Sequence, residues 1–184
     1  MTYPISAYGN PVLRKKAIAI EKGTDVQELT KEMLATMDLA QGVGLAAPQI
    51  GKSIRMFTVN FNPFFKKKDS DPEGRKVFIN PVLKLDKSIA SNSAEEGCLS
   101  IPSILVAVPR YDKVVISYFD ASWQLHEDAW TDWPARVIQH EYDHLEGKLH
   151  IDYASPGQKR RIKSRLTQIR KGNIEVSYEM RFPS

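Results

Sequence analysis

The residues whose types and spacing best suit chemistry are two histidines with a glutamate between them. His140, Glu141 and His144 form the pattern His-Glu-x-x-His. On a helix, residues four positions apart lie on one face, so both histidines can bind one metal ion. Glu141 points to one side, where its carboxylate can accept or return a proton of a water molecule. The pattern predicts a catalytic metal site, which normally has three protein ligands.

The identity of the third ligand decides the reaction, and the residues leave two candidates. His150 fits the spacing His-x-x-x-His-x-x-Gly-x-x-His of the metzincin peptidases. That class also needs a methionine turn, whereas the single methionine after His150, Met180, lies in an alternating pattern that predicts a strand. Segment 149–153 alternates as a strand edge would, which favours a partly exposed histidine that binds no metal. The other candidate is Cys98, whose thiolate would complete a site of one sulfur and two nitrogens.

The metal motif requires a helix, and its flanking residues predict one. Asp132 is a suitable cap, Pro134 lies in the first turn, and Gly147 follows the last turn. The metal ligands then lie in the last two turns.

Two further helices are predicted on either side of the metal helix. The first spans 24–41, with Thr24 and Gln27 as a capping box and apolar residues every three or four positions. The second begins at Ser155 and Pro156 and ends at Gly172, with apolar residues on an inner face.

Short runs rich in β-branched residues predict the strands. They span 54–61, 77–79, 82–85, 105–108, 113–119 and 174–182, and the segment 62–76 reads as a solvated loop. Strands precede and follow the central helix without regular β-α-β alternation. We therefore expect an α+β fold, with antiparallel sheets packed around the helix that carries His-Glu-x-x-His, a C-terminal basic helix and a final strand. Residues 1–184 are expected to form a single catalytic domain.

Composition restricts the class of protein and its surroundings. Hydrophobic residues make up 42% and charged residues 26%, which is ordinary for a globular protein, and no apolar run is long enough to span a membrane. The N-terminus lacks the pattern of a signal peptide, and the single cysteine fits a reducing cytosol. We therefore expect a cytoplasmic protein with no membrane or DNA partner.

Three blocks of sequence, in this order, resemble the peptide deformylase family. They are Gly-Val-Gly-Leu-Ala-Ala-Pro-Gln at 42–49, Glu-Gly-Cys-Leu-Ser at 96–100 and Gln-His-Glu-Tyr-Asp-His at 139–144. The resemblance runs from about residue 5 to residue 153. The family removes the formyl group from N-formylmethionyl nascent chains in bacteria and organelles, which implies the same substrate and a bacterial cytoplasm here.

The resemblance implies a role for each matching residue. It places the metal on Cys98, His140 and His144 and implies ferrous iron, although zinc, nickel or cobalt also suits these donors. The residues implied in catalysis are Glu141 as the proton carrier, with the Gln49 amide and the Leu99 backbone N–H as donors to the oxyanion. The residues implied in substrate binding are Gly42, Val43, Gly44, Gly97 and Val137.

Some positions depart from the family pattern or lie outside it. Leu105 stands where many deformylases carry an arginine beside the substrate groove, which predicts altered substrate preference. Arg110 is expected to pair with Glu96, and Asp143 either orients a ligand histidine or is a solvated acid.

The basic segment 158–171 contains seven of the 26 Lys and Arg residues and no acid. It could contact ribosomal RNA through phosphate attraction, although a charge run is also typical of a solvated face. A non-catalytic ribosome-binding paralogue with the same fold is a third alternative, against which the intact motif residues argue.

Overall fold

The computed structural model describes residues 1–65, 74–85 and 91–183. Three α-helices are α1 (Gln27–Leu39), α2 (Asp132–Leu145) and α3 (Pro156–Arg170). The strands are β1 (Ile5–Ser6), β2 (Gly44–Ala46), β3 (Met56–Asn60), β4 (Arg75–Leu85), β5 (Ser91–Cys98), β6 (Ile101–Tyr111), β7 (Lys113–Phe119), β8 (Leu125–Thr131) and β9 (Met180–Arg181). Within the described ranges, no helix combines the length and apolarity that crossing a bilayer requires.

The strands form one large sheet and two small ones. The order of the large sheet is β2-β3-β4-β7-β8, and all its neighbours are antiparallel. β5 and β6 form an antiparallel hairpin, whereas β1 and β9 pair in parallel. The mainly antiparallel α+β fold predicted from the sequence is thus confirmed.

Helix α2 packs one face on the large sheet and carries the metal motif on its last two turns. Its residues Ile138 and Leu145 are fully buried in a cluster with Phe57, Phe78 and Ile116 of the sheet. Burying apolar side chains of this size contributes roughly 1.5–3 kcal/mol each. The packing fixes the rotation of α2, and with it the direction of the side chains that the helix presents to the site.

The other two helices pack against the two elements that flank the site, β2 and the β5–β6 hairpin. Met33 and Met37 of α1 are buried with Leu45 at β2, beside the loop that precedes it. Ile169 of α3 is buried with Val106 and Val108 of β6. The apolar faces predicted for both helices therefore pack as expected.

The ends of the helices test the predicted caps. The predicted start of α3 at Ser155 and Pro156 is confirmed. Ser155 caps this helix, since the Gln158 N–H donates to Ser155 Oγ at 3.2 Å and the Gln158 side chain accepts from the Ser155 N–H. The capping box of α1 is wrong, because the Thr24 hydroxyl donates backwards to the carbonyl of Glu21 and the helix begins only at Gln27.

The start of α2 also differs from the prediction. Asp132 is the first residue of the helix with a φ of 57°, and Thr131 stands at the cap position without a side-chain capping bond.

Four strands were not predicted, namely β1, β2, β5 and β8, and others have different bounds. β5 and β8 are rich in polar residues and pair on one side only within their sheets, so they show little apolar alternation. β6 extends well beyond the predicted 105–108. The predicted loop 62–76 contains a short 3-10 helix at Asn62–Phe65 and overlaps the start of β4, while its residues 66–73 lie outside the described ranges.

The C-terminal segment comes after α3 and ends beside the N-terminal strand β1. Residues 174, 176, 178 and 180 are partly buried and alternate with exposed ones, as the sequence pattern predicted. The final strand is present but limited to β9, which pairs with β1.

Candidate metal centre and catalytic groove

Three side chains from two elements converge on one point. The metal-binding atoms of Cys98, His140 and His144 all lie within 4.8 Å of one another. His144 Nε2 lies 3.4 Å from Cys98 Sγ. Cys98 ends β5, whereas both histidines lie on α2, so the third donor comes from the hairpin. One sulfur and two imidazole nitrogens suit zinc, iron, nickel or cobalt, and this donor set therefore fits a divalent transition metal.

Glu96 orients the first of these histidines. His140 Nδ1 lies 2.9 Å from Glu96 Oε2, which leaves Nε2 of the ring as the nitrogen that can bind a metal. Glu96 also accepts hydrogen bonds from Arg110 and Arg136, at 3.0 and 2.9 Å. The side chains of all three charged residues are about 5% exposed. The predicted pairing of Arg110 with Glu96 is confirmed, and Glu96 links the hairpin to α2.

The protonation of these groups follows from burial and from close opposite charges. Burial raises the pKa of Glu96, but hydrogen bonds from His140 and Arg110 outweigh it and bring this pKa to about 2. Burial likewise raises the pKa of the Cys98 thiol, but His144 and the hydrogen bonds of neighbouring histidines lower it well below its usual value. The surroundings therefore favour the thiolate, which is the metal-binding form.

Glu141 lies beside the donors and faces Gly44 at the start of β2. The side chain is 4% exposed, and its Oε2 has no hydrogen-bond partner. Burial raises the pKa of Glu141 to about 7, although the charges of His140 and His144 oppose the rise. A methyl group on Gly44 would lie 2.8 Å from the Glu141 carboxyl carbon, so only glycine leaves room for this carboxylate.

Gln49 and Leu99 both adjoin Cys98, Gln49 in space and Leu99 in the chain. Gln49 is 2% exposed, and its amide Nε2 lies 3.5 Å from Cys98 Sγ and 3.4 Å from Ser100 Oγ. Its Oε1 accepts the Ala46 N–H at 2.8 Å, which fixes the direction of the amide group. Leu99 follows Cys98 at the tip of the β5–β6 hairpin.

A groove of about 500 Å³ joins these residues. All five residues expected to bind substrate line it, namely Gly42, Val43, Gly44, Gly97 and Val137. So do Cys98, His140, Glu141, Gln49 and Leu99. Val137 is 8% exposed and lies one turn before His140, whereas Val43 is 39% exposed on the opposite wall. The structure thus brings every predicted catalytic and substrate-binding residue to one cavity, together with two of the three metal donors.

His150 does not have the environment expected for it. It is 1% exposed and begins a 3-10 helix, so a partly exposed position on a strand edge is wrong. Its Nε2 lies 3.1 Å from the Ile104 carbonyl, which can only accept, so this nitrogen carries the proton. His150 is not part of the group of three converging donors. The local alternation could not reveal the turn that buries it.

Two other predicted positions are now defined. Leu105 is 59% exposed, and its Cδ2 would lie 3.3 Å from a methyl group on Gly97, at the edge of the groove. Asp143 is neither a solvated acid nor a direct partner of a ligand histidine. It accepts from Arg110 at 2.6 Å and from the Tyr153 hydroxyl, and so reaches His140 only through Arg110 and Glu96.

The sequence did not reveal several residues of the groove. Phe64, Trp133, Arg136 and Tyr178 line it from three different parts of the chain, since Trp133 and Arg136 both lie on α2. The only signal for Tyr178 was its place on the inner face of the alternating C-terminal segment, which carries no information about the groove.

Comparisons with known proteins agree on one family. A family model described as polypeptide deformylase matches residues 2–160. The peptide deformylase of Cytophaga hutchinsonii is 47% identical over 184 residues, covering 100% of this chain and 98% of the relative. That of Christiangramia forsetii is 45% identical over 192 residues, covering 100% and 97%.

Solved structures give the same answer. The crystal structure of peptide deformylase from Thermus thermophilus superposes with a TM-score of 0.83 at 34% identity, covering 94% of this chain and 99% of the other. With the relatives matched over nearly their full length, this shows that the chain belongs to the polypeptide deformylase family, metalloenzymes that remove the N-formyl group from nascent peptides.

Proposed function

We propose that this chain deformylates N-formylmethionyl nascent peptides with one ferrous ion held by Cys98, His140 and His144. The observation that carries the proposal is the convergence of these three donors within 4.8 Å, at the end of the groove that holds Glu141. When bound, the metal supplies a Lewis acid that lowers the pKa of a water molecule toward neutrality. Iron is proposed because the family resemblance implies it. The donors themselves suit zinc, nickel and cobalt as well.

Glu141 is the proposed proton carrier. Its carboxylate is buried, and Oε2 is left without a partner, so an oxygen is available to accept a proton from the attacking water. The same carboxyl group then gives a proton to the amine that leaves as the formamide C–N bond breaks, and formate is released. Gly44 sets the distance between this carboxylate and the wall of the groove.

Gln49 and Leu99 are the proposed donors to the oxyanion that develops on the formyl oxygen. The Gln49 amide group is fixed in orientation because its Oε1 accepts the Ala46 N–H. The Leu99 N–H directly follows Cys98 in the chain. Donors that are oriented before the reaction contribute most, and each is worth about 2.7–4 kcal/mol in the transition state.

The substrate peptide would lie along the groove with its methionine side chain toward Val137. Val137 supports this placement because it is a buried apolar residue one turn from His140. Gly42 and Gly44 let Leu99 and Glu141 pack closely against the wall that these glycines form. An extended peptide would form hydrogen bonds to the backbone of this wall, as an added strand does. Gly97 similarly permits close approach on the hairpin side.

The proposed location is the bacterial cytoplasm, and the proposed second partner is the ribosome. The cations of α3 and its end are exposed, except for Arg165, which is partly buried. Contact with phosphate through these side chains would weaken with added salt. Replacing Arg160, Arg161 and Lys163 by glutamine should reduce co-sedimentation with ribosomes, and unchanged co-sedimentation would contradict this part of the proposal.

Formate release from formyl-Met-Ala-Ser is the direct test of the catalytic assignment. The chain should be purified without oxygen, analysed for metal, and compared with Glu141→Gln. We expect about one metal per chain in both proteins and loss of formate release in the variant only. A variant that keeps its rate would remove Glu141 from the mechanism, and an inactive parent chain loaded with iron would support the non-catalytic paralogue.

A further inference from the structure

The tip of the β5–β6 hairpin carries Leu99 and lies outside the ladder of the sheet. Cys98 pairs with Ile101, so Leu99 and Ser100 form a two-residue turn. Backbone groups in such a turn need partners from elsewhere when they are withdrawn from water. The conformation of this turn therefore depends on the segments that surround it.

Three separate segments hold the turn. The Tyr178 hydroxyl donates to the Leu99 carbonyl at 2.8 Å, and the Tyr8 N–H donates to the Ser100 carbonyl at 2.9 Å. The Gln49 amide reaches the Ser100 hydroxyl at 3.4 Å. The bond from Tyr178 is the one that acts on Leu99 itself.

Leu99 is also confined on its side-chain face. A methyl group on Gly42 would lie 2.8 Å from Leu99 Cδ1, so the side chain packs directly on the backbone of the opposite wall. Tyr178 lines the same groove as Gly42 and Leu99, and it packs in the same apolar cluster as Leu99. The residue is thus held by its carbonyl at one point and by its side chain at another.

We infer that Tyr178 is a positioning residue for deformylation, whose hydroxyl fixes the Leu99 carbonyl and so keeps the Leu99 N–H aimed at the oxyanion. The inference rests on the proposed role of the Leu99 N–H. The two peptide groups on either side of the Leu99 Cα share its two backbone torsions, so immobilising one limits the rocking of the other. A donor contributes fully to transition-state stabilisation only if it is oriented beforehand.

The position of Tyr178 in the chain makes this a property of the C-terminal segment. The family model matches residues 2–160, and Tyr178 lies beyond that match. The pairing of Met180 and Arg181 with Ile5 and Ser6 anchors the segment two residues further on. The segment after α3 is therefore part of the catalytic groove and not only an appendage to the fold.

The test removes a single hydroxyl group. Tyr178→Phe should lower kcat for formyl-Met-Ala-Ser by about tenfold, which corresponds to one hydrogen bond lost from the support of the transition state, and leave KM within about twofold. Tyr3→Phe is the matched control, because Tyr3 also packs in this apolar cluster and its hydroxyl makes one hydrogen bond, to Glu32 at 2.6 Å. Both variants should retain the metal and similar thermal midpoints, and the control should keep its kcat.

A second measurement follows the Leu99 amide directly. In zinc-loaded protein labelled with 15N-leucine, where the metal is diamagnetic, the Leu99 resonance should shift or broaden in Tyr178→Phe and not in Tyr3→Phe. An unchanged kcat, or a loss of kcat that only parallels loss of metal or of thermal stability, would overturn the inference. Gln49→Leu distinguishes a failure of the proposed oxyanion site from a failure of the inference about Tyr178. If Gln49→Leu keeps full kcat, the proposed oxyanion site itself is wrong. If it loses activity while Tyr178→Phe does not, the positioning role of Tyr178 alone is wrong.

Discussion

The metal centre joins two regions that fix their donors in different ways. On α2, the helical period alone places His140 and His144 on one side, and core packing then fixes the rotation of the helix. In the β5–β6 hairpin, Cys98 follows a shift in strand register and precedes a turn that is held by Gln49 and Tyr178. The positions of the two helical donors depend mainly on residues near them in sequence, whereas the position of the sulfur depends on residues that are near it only in space.

The difference shows where the site is vulnerable. A helix returns its donors to the same place whenever it forms, so changes far from α2 should alter His140 and His144 little. The hairpin needs several distant segments to be correctly packed at once. Glu96 is the bridge, because it lies on β5 and binds His140 of α2 and Arg110 of β6.

The largest effect should follow removal of the sulfur donor. Cys98→Ala leaves two histidines, which do not complete a three-ligand site, so metal content should fall close to zero and formate release by at least about 10³-fold. His150→Ala should keep its metal. Metal analysis of both variants checks this, and retention of metal in Cys98→Ala with its loss in His150→Ala would favour the metzincin-like site.

Removing Arg110, the buried cation that pairs with the bridging Glu96, should lower the free energy of unfolding before it affects the reaction at the metal centre. Arg110→Met leaves Glu96 and Asp143 short of a buried cation, which should destabilise the fold by about 3–5 kcal/mol. Arg14→Met is the matched control, since its partner Asp152 is 41% exposed and such pairs are worth about 0–1 kcal/mol. Urea unfolding compares the two, and equal losses would show that the buried network does not join the regions.

A methyl group at Gly44 tests how precisely the two walls must fit. Gly44→Ala should push the Glu141 carboxylate aside and lower kcat by about 100-fold, because a shift of about 1 Å in a reacting group has an effect of that order. Gly157→Ala, whose added carbon would meet only Ser155 Oγ at 4.0 Å, is the control. A Gly44→Ala enzyme with parental kcat would show that the wall yields without moving Glu141.

The smallest effect is expected at the exposed edge of the hairpin. Leu105→Arg places a cation beside the groove, which should raise kcat/KM for formyl-Met peptides with an acidic second residue by up to about fivefold. Peptides with an apolar second residue serve as the reference within the same enzyme. Identical preferences in the parent and the variant would show that position 105 does not contribute to substrate choice.

The sequence predicts those parts of the site that local sequence determines, as in α2, and not those that depend on tertiary contacts, as in the hairpin. The helix of the metal motif and both of its donors were predicted because a period of 3.6 residues and the flanking cap residues are written locally. The third donor was left between Cys98 and His150 by spacing alone, and the family resemblance favoured Cys98. The convergence of Cys98 with His140 and His144 is a tertiary fact that no local pattern contains.

The failures have similar causes. β8 is an edge strand with exposed polar positions, so it lacked the apolar alternation by which β7 was found. The α1 cap failed because Thr24 had a competing local acceptor, the carbonyl of Glu21. His150 is buried by packing against β6, which alternation over five residues cannot report.

The parallel pairing of β1 with β9 bears on the order in which the molecule folds. It joins Ile5 to Met180, near opposite ends of the sequence, through two short strands. Contacts so distant along the chain must overcome a large loop-closure entropy before they stabilise anything. We expect this pairing to form late, after α2 has packed on its sheet. The enzyme should therefore pass through a state that already gathers its histidines while the tyrosine side of its groove is still open.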